Sequence, residues 1–231
     1  MENPTTNLPH KEKNMIILRT ITGLFFLAII FSFNVALADT SFGVRVPTAY
    51  IATTGTGQSD EGLPPDPYET FSYDLALQEA GIENFNVIYY TSVLPPESYE
   101  ISLTEAKKYF HHGAVLESIM AKAGGVKGDT VVAGVGRIWA RDPATGKKIG
   151  GFAAEYEFIY PKQEVSSKKA EQNAKIQLSK SLLHELTIRG LEQVGEITFN
   201  ITSIHIEKKY GIALAQLGFM SFIYLDPVPI D

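Results

Sequence analysis

The segment NFNVIYYTSVLPP, residues 84–96, is the part of this chain that says most about its fold. Its first half is rich in aromatic and β-branched residues, which suit a β-strand. Pro95 and Pro96 fix φ and lack the N–H that a strand ladder needs, so the strand must stop before them. The pattern therefore predicts a strand over residues 84–92 that ends at the Thr91–Ser92 bond.

A serine at such a junction has a particular reaction open to it. The Ser92 hydroxyl can attack the Thr91 carbonyl carbon and move the acyl group from nitrogen to oxygen, if the surrounding strands position and strain that peptide. Elimination of the resulting ester, followed by hydrolysis, leaves a pyruvoyl group on residue 92. Taken alone the signal is weak, because a serine before prolines is more often a simple turn residue.

Three further runs accompany this segment: FSYDLAL at residues 71–77, AGIENFN at 80–86 and EYE at 155–157. Together with TSVLPPE at 91–97, and in this order, they resemble the pyruvoyl-dependent arginine decarboxylases. The resemblance extends over roughly residues 44–225 and is weakest within 101–128. Members of that family commonly carry Ser-Ser at the cleavage point, where this chain has Thr-Ser. Because the first residue supplies only its carbonyl, this difference should matter little.

The resemblance implies an enzyme that converts L-arginine to agmatine and CO2 through a Schiff base with a covalent pyruvoyl group derived from Ser92. Neither pyridoxal phosphate nor a metal is implied. Self-cleavage between Thr91 and Ser92 would yield a β chain, residues 39–91, and an α chain, residues 92–231. The implied assembly is a homotrimer of cleaved protomers with sites between subunits. The implied fold is α/β (α+β), with mixed or antiparallel sheets in a helix–sheet–sheet–helix sandwich.

The resemblance also assigns roles to four other side chains. Glu155 would be the general acid that protonates the former α-carbon, a task that suits a glutamate whose pKa is raised by a dry pocket. Asp74 would pair with the guanidinium of the substrate, and Leu77 would line its methylene groups. Asn86 would be a catalytic residue that assists self-processing.

Each assignment has a plain structural alternative. Glu155 and Glu157 share one side of a strand, and periodicity alone favours a solvated face for both carboxylates. Asp74 can be an exposed helix residue and Leu77 a core residue. Asn86 can be a polar residue at the end of a strand.

The spacing between Asn86 and Ser92 limits how both side chains can belong to one site. Six residues of straight strand separate two Cα atoms by about 20 Å, which is too far for both side chains to contact one small substrate. Either the strand bends sharply or the two residues come from different protomers. We expect the second arrangement, with the site between subunits.

The composition of the chain argues against several classes of function and of site. The net charge is −6 and no run of Lys or Arg is long enough to track phosphates, which argues against nucleic-acid binding. The absence of cysteine excludes disulfides, thiol catalysis and cysteine-based zinc sites. His111 and His112 are adjacent, so their side chains point apart, and no third ligand is evident. We therefore expect no metal site.

The N-terminal segment predicts export. An apolar run over residues 16–38 follows basic residues and ends in Ala36-Leu37-Ala38, which has the form of a signal-peptidase site. We expect residues 1–38 to be a cleaved signal and the decarboxylase domain to span 39–231, with a periplasmic location. An uncleaved anchor is the alternative, since Ile21 to Ala38 is just long enough to span a bilayer. A start at Met15 would give a more ordinary signal.

Two other functions stay open at this point. One is a secreted, non-catalytic binding module on the same scaffold. The other is the same chemistry on a different amino acid. Neither the pattern of residues nor the resemblance separates these readings.

The remaining elements follow from periodicity and turn signals. Residues 53–67 predict a surface loop. Gly55 and Gly57 in it suggest a phosphate loop, but prolines rather than a helix follow them, so we reject that reading. The other predicted elements are helices over 69–80, 103–110 and 167–189, and strands over 44–51, 115–120, 130–141, 151–160, 197–207 and 212–224.

Overall fold

Long strands dominate the computed structural model, which describes residues 44–68, 70–162 and 165–225. The helices are α1 (Ser72–Ala80), α2 (Leu103–Ala106, continued by a 3-10 turn over Lys107–Tyr109) and α3 (Ser167–Arg189). The strands are β1 (Arg45–Pro47), β2 (Ala49–Ser59), β3 (Asn86–Tyr89), β4 (Val93–Leu94), β5 (Tyr99–Glu100), β6 (Val115–Val126), β7 (Thr130–Arg141), β8 (Lys148–Tyr160), β9 (Glu192–His205), β10 (Tyr210–Phe219) and β11 (Phe222–Tyr224).

The strands form two main sheets. One has five strands in the order β3-β6-β10-β2-β5, and the other has four in the order β4-β8-β7-β9. β1 and β11 form a separate pair. All pairings are antiparallel except β3 with β6 and β2 with β5. The predicted mixed or antiparallel sheets are confirmed.

Apolar side chains between these elements define four layers. Ala76 of α1 and Leu214 of β10 belong to a core on one face of the five-stranded sheet. Leu178 of α3 and Ile138 of β7 belong to a core on one face of the four-stranded sheet. A third core, which includes Phe219, lies between the two sheets. The predicted helix–sheet–sheet–helix sandwich is therefore confirmed.

Local signals set the helix ends. The Ser166 side chain accepts a hydrogen bond from the Lys169 N–H at 3.3 Å and caps α3. Gly190 ends this helix with φ at 63°, and Gly81 ends α1 with φ at 73°. Both are in the left-handed region that glycine adopts readily. The helices predicted over 167–189 and 69–80 are confirmed, although α1 begins at Ser72.

The loop predicted over residues 53–67 is wrong in its first half. Strand β2 continues to Ser59, and Thr53 to Ser59 pair with β10. Helix α1 lies directly on this strand: a Cβ at Gly55 would be 2.0 Å from the Ala76 carbonyl oxygen, and one at Gly57 would be 2.0 Å from that of Ser72. The two glycines therefore permit close approach of backbones, a role that local sequence does not reveal.

The strand predicted over residues 84–92 is also wrong, because it divides between two sheets. β3 ends at Tyr89 beside β6, and β4 begins at Val93 beside β8 of the other sheet. The chain crosses from one sheet to the other at residues 90–92. Several other predicted limits moved: β6 continues to Val126, β8 begins at Lys148, β9 spans Glu192–His205, and the strand predicted over 212–224 divides into β10 and β11.

The predicted signal, its cleavage after Ala38, the alternative anchor and the alternative start at Met15 all lie outside the described residues. Val44–Leu225 form one compact unit. Within the described part of the chain, no helix combines the length and apolar character needed to cross a bilayer.

Candidate active site

The Thr91–Ser92 bond lies in the crossing between the two sheets. On one side, the Tyr90 N–H donates to the Ser118 carbonyl oxygen of β6 at 2.8 Å. On the other side, the Ser92 carbonyl oxygen accepts from the Ala153 N–H of β8 at 2.8 Å. Each flank of the predicted cleavage point is thus fixed to a different sheet, and Ser92 itself is half-buried.

Pairing of β4 with β8 brings Ser92 to Glu155. Val93 is opposite Phe152, so Ser92 and Glu155 lie diagonally on one face of the pair. The Ser92 Oγ donates to Oε2 of Glu155 over a long contact of 3.5 Å. The structure therefore joins two residues that the sequence analysis assigned to one site.

The surroundings of Glu155 favour its protonated form. Glu155 keeps accessible surface, yet partial desolvation by the surrounding protein atoms raises the pKa of its carboxyl above the ordinary value. The neighbouring charge of Glu157 adds to the rise, while the hydrogen bond from Ser92 opposes it. The direction is that expected for a general acid near neutral pH.

Alternation along β8 separates these carboxylates from the helix. Glu157 points toward the five-stranded sheet, where its Oε1 accepts from the Lys122 N–H of β6 at 2.8 Å. Phe152, Ala154 and Tyr156 pack on the opposite side, in the core that includes Leu178 and Leu182 of α3. The two predicted faces of this strand are confirmed, and the acidic face is turned toward the other sheet.

A cavity of about 370 Å³ lies beside α1 and β3. Asp74, Leu77 and Asn86 all line it, so three of the predicted site residues come together. Among the described residues that line this cavity, neither Ser92 nor Glu155 appears. Within one chain, the predicted site therefore falls into two groups, one in the cavity and one at the sheet crossing.

The cavity residues differ in their burial. Asp74 is exposed in the first turn of α1, and Leu77 is 8% exposed, so Leu77 is at once a core residue and a cavity wall. Asn86 is exposed and its Nδ2 donates to the Gly113 carbonyl oxygen at 2.8 Å. That bond orients the Asn86 amide, so that its oxygen points away from the Gly113 carbonyl oxygen.

Six further described residues that line this cavity were not predicted as site residues, and two of them lie against each other. Tyr73 and Lys122 both line it, and the Lys122 ammonium lies 4.7 Å from the centre of the Tyr73 ring. Tyr73 adjoins Asp74 in the FSYDLAL run, so its position in that motif could have indicated that it lies at the site. Lys122 lies beyond the predicted end of its strand at Met120, so the sequence did not predict that it lines the cavity.

Comparison with known proteins gives consistent matches. The family model described as pyruvoyl-dependent arginine decarboxylase matches residues 49–223. The pyruvoyl-dependent arginine decarboxylase AaxB of Chlamydia abortus is 45% identical over 194 residues, which are 82% of this chain and 98% of that protein. The AaxB of Chlamydia muridarum is 44% identical over 195 residues, 82% of this chain and 99% of that protein. The pyruvoyl-dependent arginine decarboxylase 2 of Archaeoglobus fulgidus is 29% identical over 149 residues, 63% of this chain and 88% of that protein.

Proposed function

This chain belongs to the pyruvoyl-dependent arginine decarboxylase family, and from that premise we propose that it converts L-arginine to agmatine and CO2. It is a decarboxylating lyase. The observation that carries the proposal is the Ser92 hydroxyl beside Glu155, at a peptide bond held between two sheets. This is the arrangement that self-cleavage followed by proton delivery requires.

Maturation begins with Ser92. Its Oγ bonds to the Thr91 carbonyl carbon as the C–N bond to residue 92 breaks, and the hydroxyl proton passes to the freed nitrogen. Loss of the Ser92 α-proton then breaks the Cβ–Oγ bond and leaves Thr91 with a free carboxylate. Water finally replaces the nitrogen of residue 92, which departs as ammonia. The fixed positions of Tyr90 and Ser92 support this route, because positioning lowers the barrier to such an intramolecular attack.

A pyruvoyl group at residue 92 would supply a carbonyl that binds the substrate α-amine and takes up the electrons released as CO2 leaves. The protein must then deliver one proton to the former α-carbon. Glu155 performs this step in our proposal, since it lies beside residue 92 and its raised pKa keeps a larger fraction of the carboxyl protonated.

The cavity beside α1 accounts for selection of a basic substrate. Asp74 pairs with the guanidinium, and a bidentate contact between these two planar groups is strong and specific. Glu83 lines the same cavity, so the cavity's two carboxylates outnumber the single Lys122 ammonium, and Leu77 offers an apolar wall to the methylene groups. Asn86, whose amide is held by Gly113, assists self-processing.

We propose that the active enzyme is a homotrimer with each site between two subunits. The support is the division of predicted residues into a cavity group and a crossing group within one chain. Co-expression of Glu155→Gln and Asp74→Asn chains tests it, because a shared site in a mixed trimer can combine one intact copy of each residue. Activity well above that of either variant alone, measured at an arginine concentration far below the KM of Asp74→Asn, supports shared sites. Activity no greater than theirs contradicts them.

The direct test of function combines two measurements on purified protein. Intact mass reports whether the chain is cut at Thr91–Ser92, and an assay of CO2 release over a panel of amino acids reports the substrate. We expect two chains and a preference for arginine. A single uncut chain without activity would favour the secreted binding module instead, and two chains acting on another amino acid would change only the substrate.

A further inference from the structure

A buried carboxylate lies next to the sheet crossing and has no part in the proposed mechanism. Glu117 of β6 is 6% exposed. One of its oxygens accepts a hydrogen bond from the Arg45 guanidinium and the other accepts one from the Tyr90 hydroxyl. A buried carboxylate is stable only when it is paired and hydrogen-bonded, and these two partners supply that requirement.

Tyr90 is held in three independent ways. Its N–H donates to the Ser118 carbonyl oxygen at 2.8 Å, its ring lies 5.5 Å from that of Phe219, and its hydroxyl donates to Glu117. Burial, together with the neighbouring Glu117, raises the pKa of the Tyr90 hydroxyl. It therefore stays protonated and keeps its role as the donor.

Arg45 is also fixed in place. It belongs to β1, and its guanidinium lies 4.5 Å from the centre of the Phe222 ring on the paired strand β11. The three residues thus connect β1, β6 and the end of β3, one residue before Thr91. The crossing segment begins at this point, so Tyr90 is the last residue of its flank that the five-stranded sheet holds.

We propose that Arg45, Glu117 and Tyr90 form a clamp that positions the Thr91 carbonyl for attack by Ser92. This inference rests on the proposed self-cleavage. Tyr90 adjoins Thr91, so a fixed Tyr90 limits where the Thr91 carbonyl carbon can lie. Ser92 is held separately by Ala153 of β8. Nucleophile and electrophile are therefore oriented by different sheets.

The physical reason for such a clamp is the sensitivity of the acyl shift to geometry. The hydroxyl must approach the carbonyl carbon of its own preceding residue, which an ordinary extended peptide does not favour. A displacement of about 1 Å can slow an intramolecular reaction about 100-fold. Tyr90 without its hydroxyl would keep its ring packing and its backbone bond, and it would lose only the contacts of the hydroxyl to Glu117 and Arg45.

The test is the rate of self-cleavage, followed by intact mass during cell-free synthesis of the full chain. We expect Tyr90→Phe to be cut about 10–100-fold more slowly than the unaltered chain. Tyr109→Phe makes the same chemical change at a tyrosine that is 71% exposed, and it should be cut at the unaltered rate. Glu117→Gln keeps an acceptor of similar shape but removes the charge, so its cleavage should be slowed less than that of Tyr90→Phe.

Three further measurements separate positioning from a general folding defect. Once cut, Tyr90→Phe should show unaltered kcat and KM for arginine, and its melting temperature should fall only modestly, because Glu117 loses one hydrogen bond but keeps its pair with Arg45. A double variant with Tyr90→Phe and Glu117→Gln should be no slower than Tyr90→Phe alone, because Glu117 acts on the crossing only through the Tyr90 hydroxyl. Equal cleavage rates for Tyr90→Phe and the unaltered chain overturn the clamp. An additive double variant, or an altered kcat or KM in the cut Tyr90→Phe enzyme, also overturns it. If the unaltered chain itself is never cut, the proposed function fails instead.

Discussion

The Ser92 hydroxyl lies 3.5 Å from a carboxylate oxygen of Glu155, across 63 positions of sequence. Antiparallel pairing of β4 with β8 creates this proximity. In the proposed mechanism, one carboxyl group therefore lies beside the atom that would start maturation and beside the residue on which turnover would take place. Experiments on this site must measure chain cleavage and decarboxylation separately on the same sample.

Replacement of Ser92 by alanine should abolish both cleavage and activity, because no hydroxyl remains to begin the acyl shift. Intact mass should show one chain. Thr91→Ser is the matched control, since residue 91 contributes only its carbonyl, and it should be cut normally. Two chains from Ser92→Ala would refute the proposed cleavage site.

Glu155→Gln should still be cut but should decarboxylate poorly. Maturation takes its nucleophile from Ser92, whereas turnover needs an acidic proton that glutamine cannot give. Loss of a positioned general acid typically lowers a rate about 10²–10⁴-fold. The measurements are mass for cleavage and the rate of agmatine formation for turnover. Near-normal turnover would remove Glu155 from the acid role, and an uncut variant would mean that it supports maturation or folding.

The pH dependence of kcat should report the protonation of Glu155. A general acid acts when protonated, so kcat should fall as pH rises through the raised pKa of this carboxyl. The Glu157 charge contributes to that rise, so Glu157→Gln should lower the pKa of Glu155. We therefore expect the falling limb of the profile to move to lower pH in this variant. The exposed Glu105→Gln should leave it unchanged, and a limb that does not move would disprove the coupling.

Asp74→Asn should mainly weaken arginine binding. The substitution keeps the shape of the side chain but removes the charge-assisted pair with the guanidinium, which should raise KM more than it lowers kcat. Self-cleavage should proceed normally, because the role of Asp74 is to bind the guanidinium of the substrate, which takes no part in the acyl shift. Steady-state kinetics with arginine provides the measurement. A normal KM would exclude Asp74 from guanidinium recognition.

Export should remove residues 1–38. N-terminal sequencing of protein from its native host should then find Asp39 first on the β chain. Recovery of the apolar segment on membrane-associated protein would instead indicate an anchored enzyme.

Local signals predicted a large part of this fold. Helix α3 was predicted with its observed limits because its cap at Ser166, its apolar stripe and Gly190 all act within a few residues. The predicted limits of β7 were also correct. Contacts between distant elements were not predictable in this way. Gly55 and Gly57 resemble loop residues in the sequence, and only the helix that lies on them explains why they occupy a strand.

In the candidate site, too, local motifs predicted some features, while contacts between distant elements determine the others. Motif runs selected Asp74, Leu77 and Asn86, which line one cavity in the structure. The crossing between sheets was not predictable from NFNVIYYTSVLPP, because its strand character is continuous and the break depends on which partners are present. Glu117 gave no signal either, since a glutamate in a strand is usually exposed.

Cleavage after Thr91, as we propose it, would have a consequence for the refolding of this protein. Strand β2 lies between β10 and β5, so a strand of the shorter fragment would be flanked on both sides by strands of the longer one. Before the cut, these strands meet within one covalent chain, at a closure entropy that depends only on loop length. After the cut, their reassembly becomes bimolecular, and its yield depends on concentration. Cut enzyme that is denatured in dilute solution should therefore refold in lower yield than the newly made, uncut chain. The lifetime of the cut enzyme would then depend on a slow rate of unfolding.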